Sequence, residues 1–221
     1  MGTQYAFGQI VTDGLVLCLN ASDRNSYVSG STTWNDVSGR GNNGTLTNGP
    51  TFNSANGGSI VFDFSNDYVK INSFADILSK TTYTKTAWFY MNSYKYNIVS
   101  GGDTAQHAFW MAGTNKLSAG HNSAWQTVTS TTSLLLNTWY FGVVTFNTTT
   151  GWSLYVNGNL ESTSSSTTTF SGTGGILIGA FNDAQNLWDG RIAMASVYNR
   201  VLSFQEVLQN YNATKSRFGI T

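Results

Sequence analysis

Between Ile192 and Tyr198 no residue is charged, and neither alternating face of the segment is polar. A strand apolar on both faces has to be covered on both, which places this one in the middle of a packed sheet. The longer stretch from Trp188 to Glu206 then reads as a strand, a turn and a helix whose start is marked by Ser203 followed three residues later by Glu206. That spacing is a capping box, in which each side chain satisfies a backbone donor of the other's turn. Leu154–Val156 is a short alternating strand that runs into Asn157-Gly158, a pair that tolerates the positive φ angles of a two-residue hairpin turn.

The same patterning predicts strands over Gly14–Leu19, Ser59–Phe64, Tyr68–Lys70, Tyr83–Tyr90, Trp139–Phe146, Trp152–Val156, Ile176–Ile178 and Arg191–Asn199. Weaker strand patterns lie at Asn97–Ser100, Phe109–Ala112, Lys116–Ala119 and Thr127–Ser130. Trp34–Gly44 is a turn-rich loop in which glycines supply positive φ and Asp and Asn bond their own backbone. The all-Ser/Thr run Ser162–Thr169 sits at hairpin spacing from its neighbours, which favours a polar edge or hairpin over a linker. Ser73 with Asp76 is expected to cap a single helical turn, Phe74–Leu78. Residues 1–13 read as a short N-terminal arm, and 14–221 as one domain without internal repeats. Around a dozen strands joined by short turns predict an all-β fold, a two-sheet antiparallel jelly-roll sandwich with one short C-terminal helix.

Composition sharpens this picture. Charged residues make up 10% of the 221, against roughly a quarter in an average soluble protein. Lys and Arg balance Asp and Glu, so the net charge is zero and there is no basic stripe of the kind nucleic acid requires. Cys18 is alone in an apolar strand and is expected to be a buried, inert thiol. The N-terminus lacks the basic start and apolar run of a secretory signal, and no segment approaches the ~20 apolar residues of a membrane span.

Several of these segments resemble motifs of the concanavalin A-like lectin/glucanase superfamily, in its laminin G-like branch. The Trp188–Glu206 stretch is similar to that branch's closing "G-x-I-x-x-V-x-I-Y-N-R-x-L-S-x-x-E". The Trp34-Asn35-Asp36 loop is similar to "W-x-D-x-S-G-x-G-x-x-G", and Phe62-Asp63 with Asp67-Tyr68-Val69 to "F-D-G-x-x-D-Y-V". Trp88-Phe89, Trp139-Tyr140 and Ile178-Gly179 fall where the family places core strands. The tail from Asn210 to Ile220 resembles the closing segment of a subgroup found in marine and cyanobacterial tailed-phage proteins. This resemblance implies a non-enzymatic phage virion component, a capsid decoration protein or a tail or baseplate accessory. Its partners would be phage capsid or tail proteins, with homo-oligomer formation a further expectation. Its location would be the virion, assembled in a host cytoplasm. The alternative is a glycan-binding lectin or adhesion module that recognises surface glycans.

Glucanases of this fold place a nucleophile and an acid carboxylate close together on one strand. Here Glu161 and Glu206 stand far apart, and neither has a carboxylate two residues away. Catalytic residues and an obligatory cofactor are therefore not expected. Calcium would need loop carboxylates and carbonyls, for which Asp36 and Asp63 beside the glycine-rich loop are the best candidates. Asp67, Asp103, Asp183 and Asp189 offer further oxygens, although Ala193 stands where the family often has an acid. The alternative is that these aspartates satisfy turn backbones. Glycan or partner binding calls for exposed rings with amides nearby, and Tyr94, Tyr96, His107, Trp110, Trp125 and Trp188 are the candidates. The competing reading buries most of these rings in the core.

Overall fold

The computed structural model describes residues 9–71, 78–102, 106–171, 175–182 and 185–221. Strands β1 (Leu15–Asn20), β2 (Thr33–Trp34), β3 (Gly44–Thr47), β4 (Thr51–Asn53), β5 (Ser59–Asp63) and β6 (Tyr68–Ile71) come first. The middle of the chain forms β7 (Thr82–Met91), β8 (Lys95–Asn97), β9 (Val99–Gly101), β10 (His107–Ala112), β11 (Leu117–His121) and β12 (Ala124–Thr129). Then follow β13 (Trp139–Asn147), β14 (Gly151–Val156), β15 (Asn159–Ser164), β16 (Ile176–Ile178), β17 (Asp189–Tyr198) and the helix α1 (Phe204–Thr214). The expected helical turn over Phe74–Leu78 lies outside the described residues, apart from a buried Leu78.

The strands form two layers. The back sheet runs β15-β14-β13-β7-β17-β5-β4, with β1 also paired to β17. The front layer is β2-β3-β6-β16-β9 together with β12-β11-β10-β8. Only Ile98 separates β8 from β9, and its N–H donates to Phe109 O at 2.9 Å, so the two halves join along one chain segment. All the pairings are antiparallel, as expected for a jelly roll.

β17 sits between β7 on one flank and β5 and β1 on the other, at the centre of the back sheet. Its register slips between Ile192 and Met194, so Ile192, Ala195 and Val197 face the inter-sheet core while Ala193, Met194 and Tyr198 face the back. A second apolar layer covers that back face: α1, Phe218 and Val11 pack over Trp88, Phe141 and Met194. Trp88 stacks on Phe218 at 4.1 Å and donates its indole N–H to Thr214 Oγ1 at 2.7 Å. This is the physical reason that β17 is apolar on both faces: it lies in the middle of three layers.

Residues 9–13 lie on this back layer. Asn210 is buried and accepts from Val11 N–H at 2.8 Å while its amide donates to Tyr198 Oη at 3.0 Å. The Tyr198 hydroxyl in turn donates to Val11 O at 2.9 Å. The capping box forms as expected, with Ser203 Oγ accepting from Glu206 N–H and Glu206 accepting from Ser203 N–H. Asn157 and Gly158 take φ of 50° and 80° in the β14–β15 hairpin, and the Ser/Thr run supplies the edge strand β15 as far as Ser164.

Candidate functional site

Alternation along β10 decides which rings reach the surface. Phe109 and Met111 point into the inter-sheet core, and His107 shares their side of the strand. Trp110 belongs to the opposite face, opposite Asn97 of β8 and Ser118 of β11. Its indole N–H donates to Trp125 O on β12 at 2.8 Å, tying β10 to β12 across the intervening β11. Trp125 meets Phe181 edge-on, with ring centroids 5.2 Å apart. Both tryptophans remain half-exposed.

These rings enclose a slot of about 50 Å³ lined by Asn97, Ala108, Trp110, Trp125, Phe181 and Asn186. An open groove of about 490 Å³ shares Trp110 and Trp125 and continues along Ser123–Thr127. Asn97 is buried and tied at both ends: its amide donates to Asn186 O at 3.2 Å, and its oxygen accepts from Ser100 Oγ at 2.7 Å. Asn97 thereby anchors the loop that carries Asn186, whose own side chain stays exposed at the rim. The β11–β12 hairpin that presents Trp125 turns through Asn122 and Ser123, both at positive φ. Gly120 is required there, because a Cβ would lie 1.9 Å from Ala124 O.

The structure thus brings together Trp110 and Trp125 and disperses the other candidates. Trp188 is a core residue, fully buried and edge-on to Phe89 at 5.8 Å, which corrects its placement at a binding face. His107 is likewise fully buried, corrected from surface ligand to core residue by the same alternation that exposes Trp110. Tyr94 packs half-buried against the core. Tyr96 stands half-buried opposite Met111, with its ring 6.3 Å from Phe64 and Lys95 Nζ 5.6 Å above it, and does not line the slot.

The two calcium candidates do not converge. Asp36 accepts from Cys18 N–H at 2.8 Å, from both the N–H and the hydroxyl of Ser38, and from Asn42 N–H at 3.0 Å. Cys18 pairs with Ser196, whereas Asp63 pairs with Asp189 seven positions along the same strand, ~23 Å at ~3.3 Å per residue. Asp36 therefore closes its own glycine-rich loop. Asp63 accepts from Ser65 N–H and shares a turn with Asp67, whose carboxyl is pushed up to about 6 by burial and then by the nearby Asp63. Among the described residues no group of three or more His, Cys, Asp or Glu side chains is placed to hold a metal ion. Asp103 and Asp183 lie outside the described residues.

Behind the slot, on the core side of the same strands, lies a chain of buried polar groups. Lys85 Nζ donates to Val99 O at 3.1 Å and contacts His107 Nδ1. Tyr83 Oη lies 2.7 Å from His121 Nε2, and His121 Nδ1 lies 2.9 Å from Thr168 O. A carbonyl can only accept, so His121 carries its proton on Nδ1 and accepts the tyrosine hydroxyl on Nε2. Burial pulls Lys85 and His107 well below their ordinary ranges, His107 also through Lys85 and His121. Burial takes His121 down to about 3, opposed by its bond to Thr168 O.

Phe181, Asn97, Ala108 and Asn186 were not expected at this site. Three loops and strands distant in sequence supply them, so only the strand register reveals the set.

The chain belongs to the concanavalin A-like lectin/glucanases superfamily, whose laminin G-type family model matches residues 63–208. No curated protein sequence matches it. Among solved structures it is similar to a mutant of Trypanosoma rangeli sialidase displaying trans-sialidase activity, with a TM-score of 0.72 and 16% identity over 95% of this chain and 34% of that one. The binding domain of Paraclostridial Mosquitocidal Protein 1 gives a TM-score of 0.71 and 16% identity over 91% of this chain and 52% of that one. A receptor binding domain gives 0.71 and 15% over 92% and 52%. At these identities the likeness is one of fold. The chain spans about a third of the sialidase's length and about half that of the two binding domains.

Proposed function

We propose that this lectin-like sandwich is a non-catalytic recognition module whose β8–β10–β11–β12 face binds carbohydrate. The observation that carries the reading is the convergence of half-exposed Trp110 and Trp125 on one outer face, bordered by Phe181 and the exposed Asn186 amide. Indole faces suit the C–H face of a sugar ring, while amides and hydroxyls at a rim take its hydroxyl groups. Neither glutamate lines this face: Glu161 accepts from Thr131 and Thr132, and Glu206 is paired with Arg200. Two of the similar structures are binding domains, which agrees with recognition. A glycan array probed with the native chain and with Trp110→Ala tests the reading. Binding by the native chain that the substitution abolishes supports it; an array with no bound glycan overturns it.

A second reading is a structural accessory of a tailed-phage particle, on a capsid or tail, as the resemblance of the Asn210–Ile220 tail suggests. Co-sedimentation with capsid shells or tails tests that role, and the two readings are compatible in one particle-borne protein.

A further inference from the structure

The slot between Trp110 and Trp125 is smaller than the ligand class that the face as a whole would take. A cavity of about 150 Å³ is what accommodates a benzene ring in a protein core. The slot's volume of about 50 Å³ is a third of that, enough for a methyl or acetyl tip and too small for a sugar ring. Its walls are the Ala108 methyl and three aromatic rings, with both the Trp110 N–H and the Asn97 amide already committed to internal partners. The slot is therefore walled chiefly by apolar surface. At the rim, the Asn186 side chain is exposed and makes no hydrogen bond among the described residues. Neither the slot nor the adjoining groove is lined by a charged side chain among the described residues.

Resting on the carbohydrate reading above, we infer that the slot receives the acetamido methyl of a neutral N-acetylhexosamine. The sugar ring lies along the open groove by Ser123–Thr127, and Asn186 meets the polar edge of the acetamido group. A small slot walled mainly by rings and a methyl group rewards a methyl group over a hydroxyl, which would give up water there for mostly apolar neighbours. The uncharged lining offers no guanidinium or ammonium to a carboxylate, so acidic sugars gain nothing there.

Calorimetric titration with three saccharides tests this: N,N′-diacetylchitobiose, cellobiose and 3′-sialyllactose. The disaccharides differ chiefly in the acetamido groups, and the third carries an acetamido group together with a carboxylate. Chitobiose is expected to bind about tenfold tighter than cellobiose, the discrimination that one well-buried small apolar group provides. Ala108→Val, which fills the slot from its floor, is expected to bring chitobiose binding down to the level of cellobiose, with circular dichroism confirming that the variant keeps the sandwich fold. Equal binding of chitobiose and cellobiose by the native chain would overturn the slot's role and leave the carbohydrate face standing. Tighter binding of sialyllactose would overturn the neutrality. Binding of none of the three, with an empty glycan array, would remove the carbohydrate reading and this inference with it.

Discussion

Lys85 Nζ and His107 Nδ1 face each other inside the sandwich, both fully buried and with no carboxylate against either among the described residues. An ammonium there would be an unpaired buried charge, whereas a neutral amine has two donors for two acceptors, Val99 O and His107 Nδ1. Burial therefore favours the neutral amine at Lys85. The groups that face this pair are Tyr83 on the same strand and His121 on β11, so the cluster contains bases and a phenol.

A pH dependence of definite sign follows. Lys85, His107 and His121 all have folded-state values below their unfolded ones, so the unfolded chain binds more protons as pH falls and stability declines with it. The lysine contribution is complete above its unfolded value near ~10.4 and declines below it. The His121 contribution is complete above the unfolded value of ~6.5 and is lost as pH falls towards about 3. Melting temperatures taken from pH 9 to pH 4 should fall throughout, most steeply below pH 6. A flat profile would show that these groups titrate in the folded protein as they do in the unfolded chain.

Removing one member of the pair differs from removing both. Lys85→Met strands Val99 O and His107 Nδ1 without a donor and is expected to cost about 1–3 kcal/mol. The double variant Lys85→Met with His107→Phe removes the stranded imidazole as well and should recover that part of the loss, while Val99 O stays without its donor. It should also shallow the slope of stability against pH. Urea unfolding at pH 7 and pH 9 measures both effects.

How far the fold was legible depended on the range of the cause. β17, the Ser203–Glu206 cap and the Asn157-Gly158 turn are local patterns, and each appears where the chain predicts it. Gly44–Thr47 and Thr51–Asn53 form β3 and β4 although their short polar sequences look like loop, because they complete sheet edges whose partners lie elsewhere. The site was half legible. Trp110 and Trp188 are indistinguishable by type, and only the register separates an outward indole from one pressed against Phe89. Lys85 shows the same limit, since a charge-bearing residue between Thr84 and Thr86 reads as solvent-facing until Tyr83 and Ala87 are seen on the core side with it.

Asn210 is the single side chain that satisfies both Val11 N–H and Tyr198 Oη. Asn210→Leu keeps the volume but leaves the buried Val11 donor unpaired and removes one of two partners of the Tyr198 hydroxyl. The expected loss is about 2–3 kcal/mol, with faster hydrogen exchange at Val11 than at strands of the inter-sheet core. Unchanged exchange at Val11 would show that residues 9–13 are held by apolar packing alone.

At the helix start, Arg200 pairs with Glu206 at 2.6 Å while Glu206 also closes the cap on Ser203. The Arg200 hydrogen bond is the main reason the Glu206 carboxyl is held at about 2. Because its folded value is depressed, its contribution is present above the unfolded value of ~4.3 and is lost as pH falls through about 2. Glu206→Ala is expected to cost about 1 kcal/mol, within the range of a lost N-terminal cap. Thermal unfolding at pH 7 reads that loss.

Gly120→Ala tests how the slot is built. A methyl group at this position meets the backbone of Ala124 and Trp125, so the β11–β12 hairpin has to shift. The chain should remain a sandwich by circular dichroism while the Trp125 fluorescence environment changes and any glycan binding is lost. Native-like binding in this variant would show that Trp125 is dispensable.

The layering also sets a direction. Residues 9–13 and the C-terminal helix share the layer behind the back sheet, where Gln209 reaches Gln9 O at 2.9 Å, while the tryptophan slot opens from the front layer. A tether joined through either of these segments would leave from the rear of the sandwich. The aromatic face would then point away from whatever carries the module, free to meet an opposing surface without first turning around.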